Sequence, residues 1–157
     1  IVNLGFTVLA IYTVDKTGRK PLMIIGALGM SVSMLSLGLF FYFDSLGLGA
    51  LVAMGIYTAA FAMSWGPVTW VLLSEIFPNA IRGAMSIAVA AMWIANLAVS
   101  WTFPMMNDNV ILTKLFNHGF AYWIYGIIGI LAALFIWKII PETKGKTLEE
   151  MEKLWGR

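Results

Sequence analysis

GALVAMGIYTAAFAMSWGPVTWVLLS runs from Gly49 to Ser74, 26 residues without one Asp, Glu, Lys or Arg. At 1.5 Å of rise per residue, about 20 such residues cover the roughly 30 Å of hydrocarbon in a bilayer. In that medium the backbone must satisfy its own hydrogen bonds, which a helix does within one segment. The stretch therefore reads as a membrane-spanning helix. Outward from it, Pro21 to Phe43 (23 residues), Ala84 to Met106 (23) and Gly119 to Trp137 (19) are equally free of charge. Ile1 to Val14 is apolar over only 14 residues and opens with Ile instead of Met, so it reads as the end of a truncated span. The chain is predicted to be an all-α membrane protein. Residues 1–140 form a partial helix bundle, with spans at 1–14, 21–43, 49–74, 84–106 and 119–140, and residues 141–157 form a tail.

Composition agrees with this reading and excludes others. Of the 157 residues 61% are hydrophobic and 11% charged, with a mean hydropathy of +0.86. Soluble domains are roughly half apolar and a quarter charged. There is no cysteine and a single histidine, His118, which leaves no disulfide, thiol or metal chemistry to consider and implies no cofactor. A net charge of +2 is too small to suggest a nucleic-acid partner. No paired carboxylates and no nucleophile beside a base share a span, so enzymatic function is not expected.

Basic residues orient the bundle. Lys16, Arg19, Lys20, Arg82, Lys138, Lys144, Lys146, Lys153 and Arg157 fall on one side, against Lys114 on the other. The positive-inside rule makes the first side, including the C-terminal tail, cytoplasmic. The loop at Asn107 to His118 then faces outward, with Lys114 and His118 expected to be solvated.

Several segments carry more than hydrophobicity. In Asp15-Lys16-Thr17-Gly18-Arg19-Lys20-Pro21, Gly18 permits a tight turn and Pro21 suits a first helical turn. Asp15 ends one helix while Arg19 and Lys20 begin the next. That placement opposes both helix dipoles, so these charges should have partners elsewhere as well as across the turn. Pro67 cannot donate to the carbonyl of Met63, and a kink is expected at Gly66-Pro67. Interrupted helices recur at transporter binding sites. Trp70 follows Gly66 by four residues, which places its ring over a position without a side chain. Such a platform suits the C–H face of a sugar, although simple packing of the tryptophan explains it equally well. Glu75 and Arg82 bracket the next cytoplasmic loop and either latch helices together or stand solvated. On the following span Met92, Asn96 and Ser100 share a face, and the Asn96 amide must hydrogen-bond to a neighbouring helix or to a ligand. In the tail, Thr147 and Glu150 form a capping box, and Leu148, Met151, Leu154 and Trp155 make an apolar stripe, predicting a short amphipathic helix.

Taken together, these segments resemble the sugar porter family of the major facilitator superfamily. The resemblance rests on the Asp15 to Lys20 turn, on Gly66-Pro67-Val68-Thr69-Trp70 with Ser74-Glu75-Ile76-Phe77-Pro78 and Arg82-Gly83, and on Pro141-Glu142-Thr143-Lys144-Gly145. It implies a twelve-helix transporter of two halves, of which this chain covers the C-terminal part, from the end of helix eight through helix twelve. It further implies transport of a small neutral monosaccharide such as D-xylose by alternating access in the bacterial inner membrane, either as proton symport through residues on the missing helices or as facilitated diffusion. Trp70 and Gly66 would contact sugar, with Phe61 and Trp93 nearby; Asn96 joins them as a candidate from its polarity. Asp15, Arg19, Glu75 and Arg82 would form a cytoplasmic charge network. Two departures stand out. Met92 replaces the amide usual just before the tryptophan of helix eleven, and the stretch from Arg82 to Trp93 is one residue short. Two alternatives share the fold: a sugar sensor that does not transport, and a truncated product without function.

Overall fold

The computed structural model describes residues 2–76 and 82–145, apart from the side chains of Val2, Asp15, Ile76 and Arg82. Every regular element in it is helical: α1 (Val2–Thr17), α2 (Arg19–Tyr42), α3 (Leu48–Met63), α4 (Trp65–Ile76), α5 (Arg82–Asn107), α6 (Val110–Phe116) and α7 (Gly119–Ile139). Among the described residues, four apolar stretches are long enough to cross a membrane: Arg19–Tyr42, Leu48–Glu75, Gly83–Asn107 and Gly119–Ile139. The second of these combines α3 and α4, separated only by Ser64. The tail helix expected from Thr147 onward lies outside the described residues.

Helix α2 is the hub, packed most extensively on α7 and then on α3. Between apolar helices in lipid the attraction is van der Waals contact, so small residues that let backbones approach decide where helices meet. Glycine fills that role here. A Cβ on Gly38 would stand 2.3 Å from the Trp123 ring, and one on Gly119 would stand 2.5 Å from the Gly38 carbonyl oxygen, which draws α2 and α7 together at one end. Gly26 does the same towards Ser64. Ala91 and Ala95 of α5, by contrast, are exposed, and α5 rests mainly on α7 and α6.

Two apolar clusters brace the ends. Leu22, Met23, Val68, Leu72 and Ile136 pack together near the start of α2, with Val14, Trp65 and Ile140 around them. Leu37, Ala50 and Ala53 meet near its end, with Phe40 and Tyr122. The loop after α5 is more structured than the sequence suggested. Asn109 caps α6 by accepting from the amides of Ile111 (3.0 Å) and Leu112 (3.2 Å). His118, expected to be solvated, has its Nδ1 3.0 Å from the carbonyl oxygen of Asn107. Lys114 is exposed.

Candidate functional site

The interruption of the Leu48–Glu75 span falls at Ser64, three residues before the proline. Pro67 offers no N–H to the preceding turn, so the ladder must give way upstream of it. The Ser64 amide turns to the carbonyl of Phe61 (3.2 Å), and the ladder resumes where Val68 donates to Ser64 (2.9 Å). The Ala60 carbonyl, which a regular helix would give to that amide, accepts the Ser64 hydroxyl at 2.6 Å. The Trp65 indole N–H crosses to the carbonyl of Met23 (3.0 Å) and ties the break to α2.

Around this break α2, α3, α4, α5 and α7 border an open cavity of about 370 Å³. Ser31, Tyr57, Phe61, Trp65, Phe103 and Tyr125 are among its walls, and no Asp, Glu, His, Lys or Arg lines it. Its walls are mostly apolar, with aromatic rings among aliphatic side chains and the hydroxyls of Ser31, Tyr57 and Tyr125 as the polar groups. Phe61 also lies against Gly66, where an added Cβ would stand 3.5 Å from the phenyl ring. The ring nearest the bare Gly66 is thus that of Phe61, not of Trp70 as helical spacing suggested. Trp70 itself is exposed on α4. Trp93 lies exposed beside a shallow depression with Met85, Ser86, Val89 and Ala90 on its own helix. Asn96 is exposed too, and its amide oxygen receives a long 3.5 Å bond from Ser100 one turn on. The structure therefore unites Phe61 and Gly66 and leaves Trp70, Trp93 and Asn96 on open faces. Tyr57 and Tyr125 entered the site unforeseen. Tyr57 precedes Phe61 by four residues, a same-face spacing that could have signalled it.

The second candidate region lies where α1, α2, α4 and α7 end together. Arg19 and Glu75, 56 residues apart, form an ion pair with Nη2 at 2.9 Å and Nε at 3.1 Å from the same carboxylate oxygen. The other oxygen of Glu75 accepts the Thr143 hydroxyl at 2.6 Å. Glu142 accepts from the amides of Arg19 (3.1 Å) and Lys20 (3.2 Å), placing a negative charge at the positive end of the α2 dipole. Lys144 donates its ammonium to the Lys16 carbonyl at the end of α1, the matching contact for a negative helix terminus. Glu75 is thus the partner elsewhere that the Arg19 charge demands, while Glu142 and Lys144 meet the backbone at the two helix ends of the turn. Thr143 and Glu142 were missed as members because they follow the last span directly and carry no spacing signal toward Arg19. The side chains of Asp15 and Arg82, expected in the same network, lie outside the described residues.

Apolar spans free of charge, one of them broken, with an ion pair between helices at one end, have the build of a solute carrier's transmembrane domain. The chain belongs to the Sugar (and other) transporter family, whose model matches residues 1–155. It is similar to the D-xylose-proton symporter of Escherichia coli (strain K12), 69% identical over 156 residues, 99% of this chain and 32% of that protein. The glucose facilitated diffusion protein of Zymomonas mobilis is 46% identical over 156 residues, again 99% of this chain and 33% of its length. Among solved structures, the major facilitator superfamily proton:xylose symporter XylE bound to 6-bromo-6-deoxy-D-glucose superposes with a TM-score of 0.89 at 69% identity, over 98% of this chain and 33% of that one. The inward-open form of the xylose transporter XylE from E. coli also gives 0.89, at 68% identity, over 98% of this chain and 34% of that one. The fold is that of the C-terminal third of a major facilitator transporter, and the chain spans about a third of the length of the curated relatives it matches.

Proposed function

We propose that this chain supplies part of a carrier that moves a neutral monosaccharide, D-xylose first among candidates, across a bacterial inner membrane by alternating access with a proton. The observation that carries the reading is the broken span at Ser64, with Phe61 over Gly66 beside an uncharged, mostly apolar cavity that offers aromatic rings and a few hydroxyls. Such surfaces bind sugar through C–H faces and neutral hydrogen bonds, not through ions. The 69% identity to a D-xylose-proton symporter supports the choice of substrate and of proton coupling. Trp70, Gly66, Phe61, Trp93 and Asn96 are assigned to sugar contact, the exposed ones meeting it across the interface with the rest of the carrier. No acid lies within the apolar runs of these spans, so proton coupling is assigned to residues outside this chain. The Arg19–Glu75 pair closes the cytoplasmic end in one state of the cycle, and Asp15 and Arg82 are assigned to the same charge network. The basic flanks put that end and the C-terminal tail in the cytoplasm. No step involves covalent chemistry.

The test is uptake of labelled D-xylose by the full-length protein. Trp70→Ala should weaken sugar binding about tenfold or more, the loss of about 1.4 kcal/mol of stacking and contact. Unchanged sugar binding in that variant would remove Trp70 from the site, and absence of D-xylose uptake by the unaltered protein would overturn the substrate assignment.

A further inference from the structure

We infer that Thr143 is a positioning residue for the closure made by Arg19 and Glu75. Its hydroxyl fixes the Glu75 carboxylate in the orientation that meets Arg19, so the exit of α7 sets how firmly this end of the bundle shuts. Both oxygens of Glu75 are engaged from different parts of the chain: Oε1 meets Nη2 and Nε of Arg19 on α2, and Oε2 takes the Thr143 hydroxyl from the segment that follows α7. A carboxylate held on one oxygen alone can swivel about its terminal torsion, which is broad and soft. One held on both cannot.

Thr143 is only 4% exposed, so water does not readily replace its hydroxyl. An apolar side chain there would leave Oε2 facing a methyl group, an acceptor without its donor and a carboxylate released to turn away from Arg19. The hydroxyl is delivered by a segment anchored on either side. Glu142 holds the Arg19 and Lys20 amides, and Lys144 holds the Lys16 carbonyl and donates its own amide to Glu142 (3.0 Å). Three successive side chains thus reach α2, α4 and α1 in turn. The inference rests on the carrier reading only for what closure means in transport; the coupling of Thr143 to the pair stands on the geometry.

A cavity of about 250 Å³ beneath the pair offers a reporter, bounded by Ala10, Val14, Arg19, Pro67 and Val71 among others. Ala10 is 1% exposed. In the full-length protein, Ala10→Cys places a thiol under the closure, and its alkylation by N-ethylmaleimide is followed at that peptide by mass spectrometry. Adding Thr143→Val should raise the rate about three- to tenfold, while Thr143→Ser, which keeps the hydroxyl, should stay within about twofold of the Ala10→Cys protein. In a Glu75→Ala background, already fast, Thr143→Val should add nothing. An unchanged rate in Thr143→Val, an equal rise in Thr143→Ser, or a further rise on top of Glu75→Ala would each overturn the assignment. Loss of D-xylose uptake from the unaltered protein would strike the carrier reading alone and leave the thiol result standing.

Discussion

Gly18 and Glu142 occupy adjoining space so tightly that a Cβ on Gly18 would lie 2.8 Å from a carboxylate oxygen of Glu142. The one-residue turn between α1 and α2 adopts φ 98° and ψ 159° at Gly18, a region in practice reserved for glycine. The absent side chain leaves room for an acid from 124 residues further along the chain to reach the first amides of α2.

Gly18→Ala therefore meets both a forbidden backbone and a displaced Glu142. A loss of about 2 kcal/mol is expected, since such conformations cost a substituted residue about 1–3 kcal/mol. Thermal unfolding of the detergent-solubilised full-length protein reads it, and a melting temperature equal to that of the unaltered protein would contradict it.

Glu142→Gln keeps the shape of the contact but removes its charge. Charge-assisted bonds at a helix N-terminus are stronger than neutral ones by about 1 kcal/mol. The amides of Arg19 and Lys20 should exchange hydrogen about fivefold faster, while those in the middle of α2 stay as they were. Uniform acceleration along α2 would show that the acid acts on the whole helix instead of its first turn.

The Arg19–Glu75 pair has side chains only 15% and 28% exposed, so it is screened less than a surface pair. Glu75→Gln should cost about 1.5–3 kcal/mol, the range for hydrogen bonds to charged groups. Most of that difference should persist at high salt. A loss that vanishes on adding salt would make the pair an ordinary solvated contact.

Gly26→Ala should be among the most damaging single-methyl changes in the bundle. Its Cβ would fall 1.7 Å from the Ser64 hydroxyl oxygen and 2.4 Å from the Ser64 Cβ. Overpacking costs about 1–3 kcal/mol, and this case belongs at or above the upper end. Ser64→Ala should not rescue it, because the Cβ conflict remains. Recovery of normal expression and melting temperature in the double variant would show that α2 and the broken span can separate at little cost.

Tyr125 and Thr102 join α7 to α5 through their hydroxyls at 2.5 Å, and Thr102 passes its own proton to the Ala98 carbonyl (2.6 Å). Tyr125 is thus the donor in the pair. A double-mutant cycle of Tyr125→Phe and Thr102→Val should yield a coupling of about 0.6–1.7 kcal/mol, the range for polar contacts between membrane helices. Additive losses would mean that the two hydroxyls work independently.

What could be read in advance follows physical range. Membrane spans are announced by local chemistry, an unbroken run without charge, and the helices lie on those runs. The family was legible because its motifs are short and contiguous, as in Gly66 to Trp70 and Pro141 to Gly145. The helix break was foreseen at Pro67 but sits at Ser64, because a proline removes a donor whose absence is felt in the preceding turn. Arg19 and Glu75 were both singled out, yet nothing local joins residues that meet only when α2 and α4 pack. Glu142 and Thr143 escaped notice as members of that cluster for the same reason. The short helix α6 has just seven residues and a side-chain cap at Asn109, too brief for periodicity to reveal. The ring over Gly66 was assigned to Trp70 by regular spacing, and the interruption at Ser64 gave that place to Phe61.

That interruption also changes how force travels. An unbroken helix transmits torque from end to end like a shaft. Cut at Ser64 and pinned there to Gly26 and Met23, the span is instead a knee with a fixed fulcrum, and its two segments can swing by different amounts about the same point.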